Sequence, residues 1–251
     1  MLAVHVEGWL KLGLTERYDD PYSVAEGAAR FAETGFHTLS QAFEPFGGFG
    51  IRSVIHWLAM AQRNRVTPYG EIVASPLRGR WMGNRGCLHR GHDIVRPWNG
   101  KRWIICALEF KGWIAPKWVP GRWTALFFHD EAIAFAAGHR PCALCRRADY
   151  RRYRDALGAA GADAIDARLH LERLDGRRKR LHAISWRDLP AGTFVEVDGA
   201  PYAVLADRLR HWMPQSGYGA DRARPLHGLA NVITPPASVD VLRAGYELQF
   251  Q

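Results

Sequence analysis

Two of the four cysteines, Cys142 and Cys145, stand three positions apart in the run FFHDEAIAFAAGHRPCALCRRADYRRY, residues 127–153. Sulfurs at that spacing can grip one zinc ion, form a redox disulfide, or do neither. A redox pair usually opens the helix of a βαβ unit, whereas this pair follows a helix and a Gly-His-Arg-Pro turn. Zinc takes four ligands, so two more donors are needed. Cys87 and Cys106 are the remaining cysteines, and His89 and His92 compete with Cys87. The expected zinc ligands are therefore drawn from Cys142, Cys145, Cys106, Cys87 and His89. Other readings stand beside this one. Cys142 and Cys145 read as two buried thiols in a turn without metal, Cys106 as a small core residue, and the histidines as exposed loop residues.

The elements around the pair are legible. Thr124 to Phe128 is an aromatic and β-branched run suited to a buried strand. Asp130 or His129 can cap a following helix, with Glu131 in its first turn. Ala132 to Ala137 continue that helix, and Gly138 supplies its left-handed stop. Pro141 fixes the backbone before Cys142. Cys145 falls where the next helix is expected to begin. A thiol there is acidified by the helix N-terminus and by Arg146 and Arg147, and a metal ligand must be a thiolate.

The stretch from Phe128 through Ala-Gly-His-Arg-Pro-Cys-Ala-Leu-Cys to Arg146 resembles the second half of the Ada metal-binding domain. The resemblance implies that Cys142 and Cys145 match that family's second pair of zinc ligands. The family's first pair, a close Cys-x-x-x-Cys that carries its methyl-accepting chemistry, has no counterpart here. Only the metal half-site carries over. From about Arg65 onward the chain also resembles a family of uncharacterised bacterial proteins, which implies no activity.

Charge is spread unevenly. Residues 1–59 carry 4 basic and 7 acidic side chains, and the remainder carries 30 and 18. Arginine dominates the basic part, and its planar fork suits phosphate. Arg147, Arg151 and Arg154 share one face of a helix predicted to run to Leu157. Arg177, Arg178, Lys179 and Arg180 form a cationic run after a turn. With Arg140 and Arg146 they make the expected nucleic-acid contacts. The competing reading is a solvated basic surface.

The rest of the chain reads as short elements. Glu71 to Ala74 is a strand, and Pro76 to Arg90 is a Gly- and Arg-rich loop whose glycines imply close backbone approach. Trp103 to Phe110 reads as one strand buried on both faces. Asp163 to Leu174 is a helix. Thr193 to Val197 and Ala200 to Leu205 flank Asp198-Gly199, a hairpin signal. Arg208 to Met213 adds a strand, Gln215 to Arg224 a polar loop, Pro236 to Arg243 a helix, and Tyr246 to Phe250 a closing strand.

These elements predict an α+β fold of mixed short strands and helices, with a Cys-x-x-Cys metal half-site and a small β-rich C-terminal lobe. The expected organisation is a dispensable extension over 1–59, an α+β domain over 60–158 with the zinc site, and a helix plus β-rich lobe over 159–251 packed against it. No apolar run approaches the roughly 18 residues of a membrane span. So few cysteines do not make a disulfide scaffold, and a reduced, cytoplasmic compartment is expected. The function expected first is a zinc-stabilised nucleic-acid-binding protein. A metal-dependent hydrolase or nuclease, with Glu109, Asp130 or Glu131 as base, and a zinc-thiolate alkyl acceptor are the alternatives.

Overall fold

The computed structural model describes residues 62–249; the expected extension over 1–59 lies outside them. The chain first builds β1 (Arg63–Val66), β2 (Ile72–Ala74), β3 (Trp81–Asn84), the hairpin β4–β5 (His89–Arg90, Asp93–Ile94), β6 (Ile104–Cys106), the hairpin β7–β8 (Glu109–Phe110, Trp113–Ile114) and β9 (Leu126–Phe128). Next come α1 (Glu131–Ala136), β10 (Arg140–Pro141), α2 (Arg147–Ala156), α3 (Ala162–Arg173) and the hairpin β11–β12 (Leu174–Asp175, Arg178–Lys179). The last part is β13 (His182–Ser185), β14 (Phe194–Val197), β15 (Ala200–Val204), β16 (Arg208–Met213), β17 (Gly217–Ala223), β18 (Leu229–Val232) and α4 (Pro236–Arg243).

Two six-stranded sheets organise these pieces. The first runs β10-β6-β3-β9-β1-β2, and the second runs β13-β18-β14-β15-β16-β17. The second is antiparallel throughout. The first is mixed, with parallel pairs β1/β9 and β10/β6. One apolar cluster joins Phe128 of β9 and Phe135 of α1 to Phe194 of β14 and Trp212 of β16. Tyr153 and Ile165, on either side of the Gly158–Gly161 break, belong to that same cluster.

α1 sits inside this core with every residue buried. Its ends follow the sequence signals. Asp130 caps it by accepting the Ile133 N–H at 2.9 Å. Gly138, at φ 88°, closes it with a double bond pattern: Gly138 N–H donates to Phe135 O and His139 N–H to Ala134 O. That is the arrangement of a Schellman stop. The hairpin at Asp198-Gly199 also forms as read, with both residues at positive φ and Val197 opposite Ala200.

Four expectations are corrected. The loop over 76–90 contains β3, a central strand, because Gly83 lets the Phe128 ring lie on the backbone; an added Cβ would be 2.5 Å from Phe128 Cε2. The run 103–110 is not one strand: β6 ends at Cys106, and Leu108 is 41% exposed on the way to a separate hairpin. The polar loop over 215–224 holds β17, an edge strand whose charges pair across to β16, as in Arg210 with Asp221 at 2.7 Å. Residues 246–249 form no strand; Gln249 N–H donates instead to Glu131 Oε2.

Burial pushes the Asp130 carboxyl up to about 6, against the Tyr218 hydroxyl and the Ile133 N–H that donate to it. An unfolded aspartate titrates near 4, so the folded chain holds this proton more tightly. Stability from Asp130 is therefore full below pH 4 and is lost as pH rises through 6. In Asp130→Asn that fall disappears, while the cap remains because an amide oxygen also accepts an N–H. Urea denaturation of both proteins between pH 4 and 7 should show the wild type losing up to about 3 kcal/mol relative to the variant. Parallel stability curves would contradict this.

Candidate metal centre

The parallel pairing of β10 with β6 builds the site. Arg140 lies opposite Ile104 and Pro141 opposite Ile105, so the next residue, Cys142, arrives beside Cys106. The Cys142 N–H donates to Ile105 O at 2.9 Å and holds that register. The turn after Cys142 is closed by Arg146 N–H donating to Cys142 O at 3.1 Å, and it returns Cys145 to the same place. The sulfurs of Cys106, Cys142 and Cys145 lie within 4.8 Å of one another.

The donor set fits a soft, tetrahedral ion. Zinc–sulfur bonds of about 2.3 Å imply sulfur–sulfur edges of about 3.8 Å, which falls inside the 4.8 Å limit on their separations. Two backbone donors are already aimed at sulfur: Leu144 N–H to Cys142 and Ala107 N–H to Cys145, both at 3.4 Å. Such donors stabilise thiolate charge and fix ligand orientation. The Ala107 bond also explains why β6 stops at Cys106, since the next amide serves the sulfur instead of the sheet. Met82, Ala115, Ala125, Trp123 and Phe127 pack round the trio and keep it partly dry.

The three thiols share their protons unevenly. Hydrogen bonds from Cys106 and Cys145 hold Cys142 far below the ordinary thiol range, although burial opposes this. The bonds of Cys106 with Cys142 and with Cys145, and then burial, push Cys106 far up. The bond with Cys106 draws Cys145 down, but its bond with Cys142 and burial outweigh that and raise it. The downward direction at Cys142 favours the thiolate form that a cation site requires. These three cysteines could hold a metal ion. Among the described residues no fourth His, Cys, Asp or Glu joins them.

Cys87 and His89 do not take part. In the antiparallel β3/β6 pair, Met82 lies opposite Cys106 and Asn84 opposite Ile104, so the chain beyond Asn84 runs away from the sulfurs. Among the described residues Cys87 has one hydrogen-bond-range contact, the His89 carbonyl at 3.9 Å. The His89 ring is 7% exposed, and its Nδ1 bonds Thr124 Oγ1 at 2.6 Å. The carboxylates weighed as bases are mostly occupied. Asp130 caps α1 and accepts from Tyr218, while Glu131 accepts from Tyr246 at 2.9 Å and meets Arg146 at 2.6 Å. Glu109 is exposed on β7.

The expected phosphate-binding cations divide into three groups. Arg140 and Arg146 are corrected to structural residues, 2% and 4% exposed. Arg140 makes a bidentate pair with Asp166. Arg146 lies 3.8 Å from the Trp81 ring centre, donates to Asp149 at 2.9 Å, and makes an ion contact rather than an aligned hydrogen bond with Glu131. Lys179 is turned inward, its ammonium donating to Ala136 O. Arg154 is neutralised by Asp155, and Arg180 donates to Leu174 O beside Asp175. Arg147, Arg151, Arg177 and Arg178 are exposed, with no ion pair to a carboxylate among the described residues.

No family model, curated protein or solved structure matches the chain. Among the described residues no helix is long and apolar enough to cross a membrane.

Proposed function

We propose that the protein is a zinc-stabilised nucleic-acid-binding protein. The observation that carries this reading is the convergence of Cys106, Cys142 and Cys145 directly ahead of α2, whose first turns present Arg147 and Arg151 to solvent. Zinc is the ion best suited to three thiolates in a reduced compartment, because it is redox-inert and tetrahedral. Cys106, Cys142 and Cys145 would supply three donors, and water or another group the fourth. The Ada-like turn over 138–145 supports the same assignment. The role of the ion is mechanical: it ties the end of β6 to the turn that launches α2. Arg147 and Arg151, four positions apart, then project from one helix face. Paired guanidinium groups on a fixed helix bind phosphate oxygens without reading bases.

Metal analysis of the purified protein should find one equivalent of zinc. Anisotropy titration of labelled single-stranded and duplex DNA, at about 50 and 200 mM salt, should show binding that weakens with salt. Replacing Arg147 and Arg151 by alanine should weaken binding to unrelated sequences alike and flatten the logarithmic salt slope by about 2. Absence of binding at the lower salt, or an unchanged slope in the double variant, would reject the nucleic-acid part.

A further inference from the structure

Among the described residues, Arg85 and Arg173 are buried without a carboxylate, and the half-buried Lys179 has none either. Arg85 and Arg173 are both 0% exposed. Their guanidinium carbons each lie 3.9 Å from the Trp103 ring centre. Lys179 lies nearby with its ammonium on Ala136 O. Among the described residues none of the three is within ion-pair distance of an acid. Asp166, the carboxylate that acts on Arg173, is already taken by Arg140.

Their hydrogen bonds are incomplete. Arg85 Nε donates to His139 Nε2 at 3.0 Å and Nη1 to Gly70 O at 2.7 Å, but Nη2 is buried with no partner. Arg173 donates from Nη1 and Nη2 to the carbonyls of Gly138 and Lys101, and Nη2 also meets His170 Nδ1, but Nε has no partner. A buried cation without counter-charge is costly, even after relaxation. Burial, then repulsion from Arg173, pulls both Arg85 and Lys179 well below their ordinary ranges.

All three border one cavity of about 290 Å³. Arg85 Nη2 lies close behind its wall: a Cβ added to Gly70, which lines the cavity, would stand 3.5 Å from that nitrogen. The exposed Arg177 and Arg178 form part of the rim, against a single lining carboxylate, the exposed Glu71. The half-buried Trp98 lines the same wall, its ring 5.9 Å from that of Trp103.

We infer that this cavity binds a phosphate monoester, held by Arg85, Arg173 and Lys179 inside and by Arg177 and Arg178 at the mouth. A dianion matches this surplus of cations better than a carboxylate, and guanidinium forks suit its oxygens. The volume exceeds a bare ion and sits at the small end of ligand pockets, which leaves space against Trp98 for the group that bears the phosphate. No residue of α2 lines the cavity, so this inference does not rest on the nucleic-acid reading.

Isothermal titration with inorganic phosphate, and then with a 5′-mononucleotide, tests it. Both should bind saturably at one site per chain, and acetate at equal ionic strength should not. Arg178→Ala, at an exposed position, should keep the fold and weaken phosphate about tenfold. Lys179→Met should weaken it at least as much; if that variant does not fold, Arg178→Ala decides. Arg147→Ala with Arg151→Ala should leave phosphate affinity unchanged. Competition by the mononucleotide assigns the group to a free small molecule. Competition by a 5′-phosphorylated oligonucleotide, and not by its 5′-hydroxyl twin, assigns it to a chain end. Either outcome upholds the site. No saturable phosphate binding, or equal affinity in Arg178→Ala, overturns it.

Discussion

On the proposed zinc assignment, Cys142→Ser should lose the metal and more than about 4 kcal/mol of stability, whereas Cys87→Ser should keep both. The magnitude follows from linkage: structural zinc contributes apparent free energies of about 10–16 kcal/mol in small sites, and the folded state owns that binding. A simple core thiol exchanged for a hydroxyl would cost only about 1–3 kcal/mol. The size of the loss therefore separates a ligand from a packed cysteine. Cys142 is the decisive position because it receives the hydrogen bonds of both other thiols and the Leu144 N–H. Cys106→Ser should behave alike, since Cys106 anchors the trio to the sheet through its pairing with Met82. Metal content by mass spectrometry and urea denaturation, with and without a chelator, give the readouts. A Cys142→Ser protein with a full equivalent of metal, or a wild type indifferent to the chelator, would end the metal assignment.

The part of this site visible in the sequence was the local part. Asp130, Gly138 and Pro141 act on their own neighbours, and each does what its chemistry dictates within a few residues. The third sulfur was visible only as one candidate among several. Cys106 is set beside Cys142 by a parallel pairing of two-residue β10 with β6, and parallel register leaves no hairpin signature between the partners. Cys87 was an equal candidate by composition and fails by direction alone, because β3 runs opposite to β6.

The arginines show a different limit. Arg is exposed in most proteins, so a cluster of arginines reads as surface. The burial of Arg140 depends on Asp166, an acid twenty-six positions away on α3. The burial of Arg85 and Arg173 depends on Trp103 lying between their reach and on backbone carbonyls. Nothing periodic links such residues. Arg173 falls outside the cationic runs that patterning singles out, Arg85 lies in the Gly- and Arg-rich stretch over 76–90 with nothing to mark it there, and the signal that reveals both is three-dimensional: buried N–H groups with nothing to bond. β3 and β17 hid for a related reason. One is rich in glycine and arginine neighbours, the other polar along its exposed edge, so neither carries an apolar alternation.

Asp166→Ala should destabilise the fold by about 3–5 kcal/mol, the usual cost of stranding one partner of a buried ion pair. The pair is dry and well aligned: Arg140 and Asp166 side chains are 3% and 5% exposed, with two parallel bonds of 3.0 and 2.7 Å. Arg140 has one further acceptor, Pro141 O at 3.0 Å, and Tyr150 lies 5.4 Å from its guanidinium. A single carbonyl and a ring cannot replace a carboxylate. Removing both charges is a separate case, because Arg140→Met with Asp166→Leu eliminates two desolvation costs together with the attraction. The double variant should recover most of the loss and leave a coupling of about 3 kcal/mol in a mutant cycle measured by urea denaturation. The position of the pair extends its consequence to the proposed metal site. Arg140 is the first residue of β10, two before Cys142, and Asp166 fixes it from α3. Asp166→Ala should thus weaken zinc retention against a chelator although no ligand is touched, and the double variant should restore it. A loss under 1 kcal/mol with unchanged zinc retention would show that β10 keeps its register without α3.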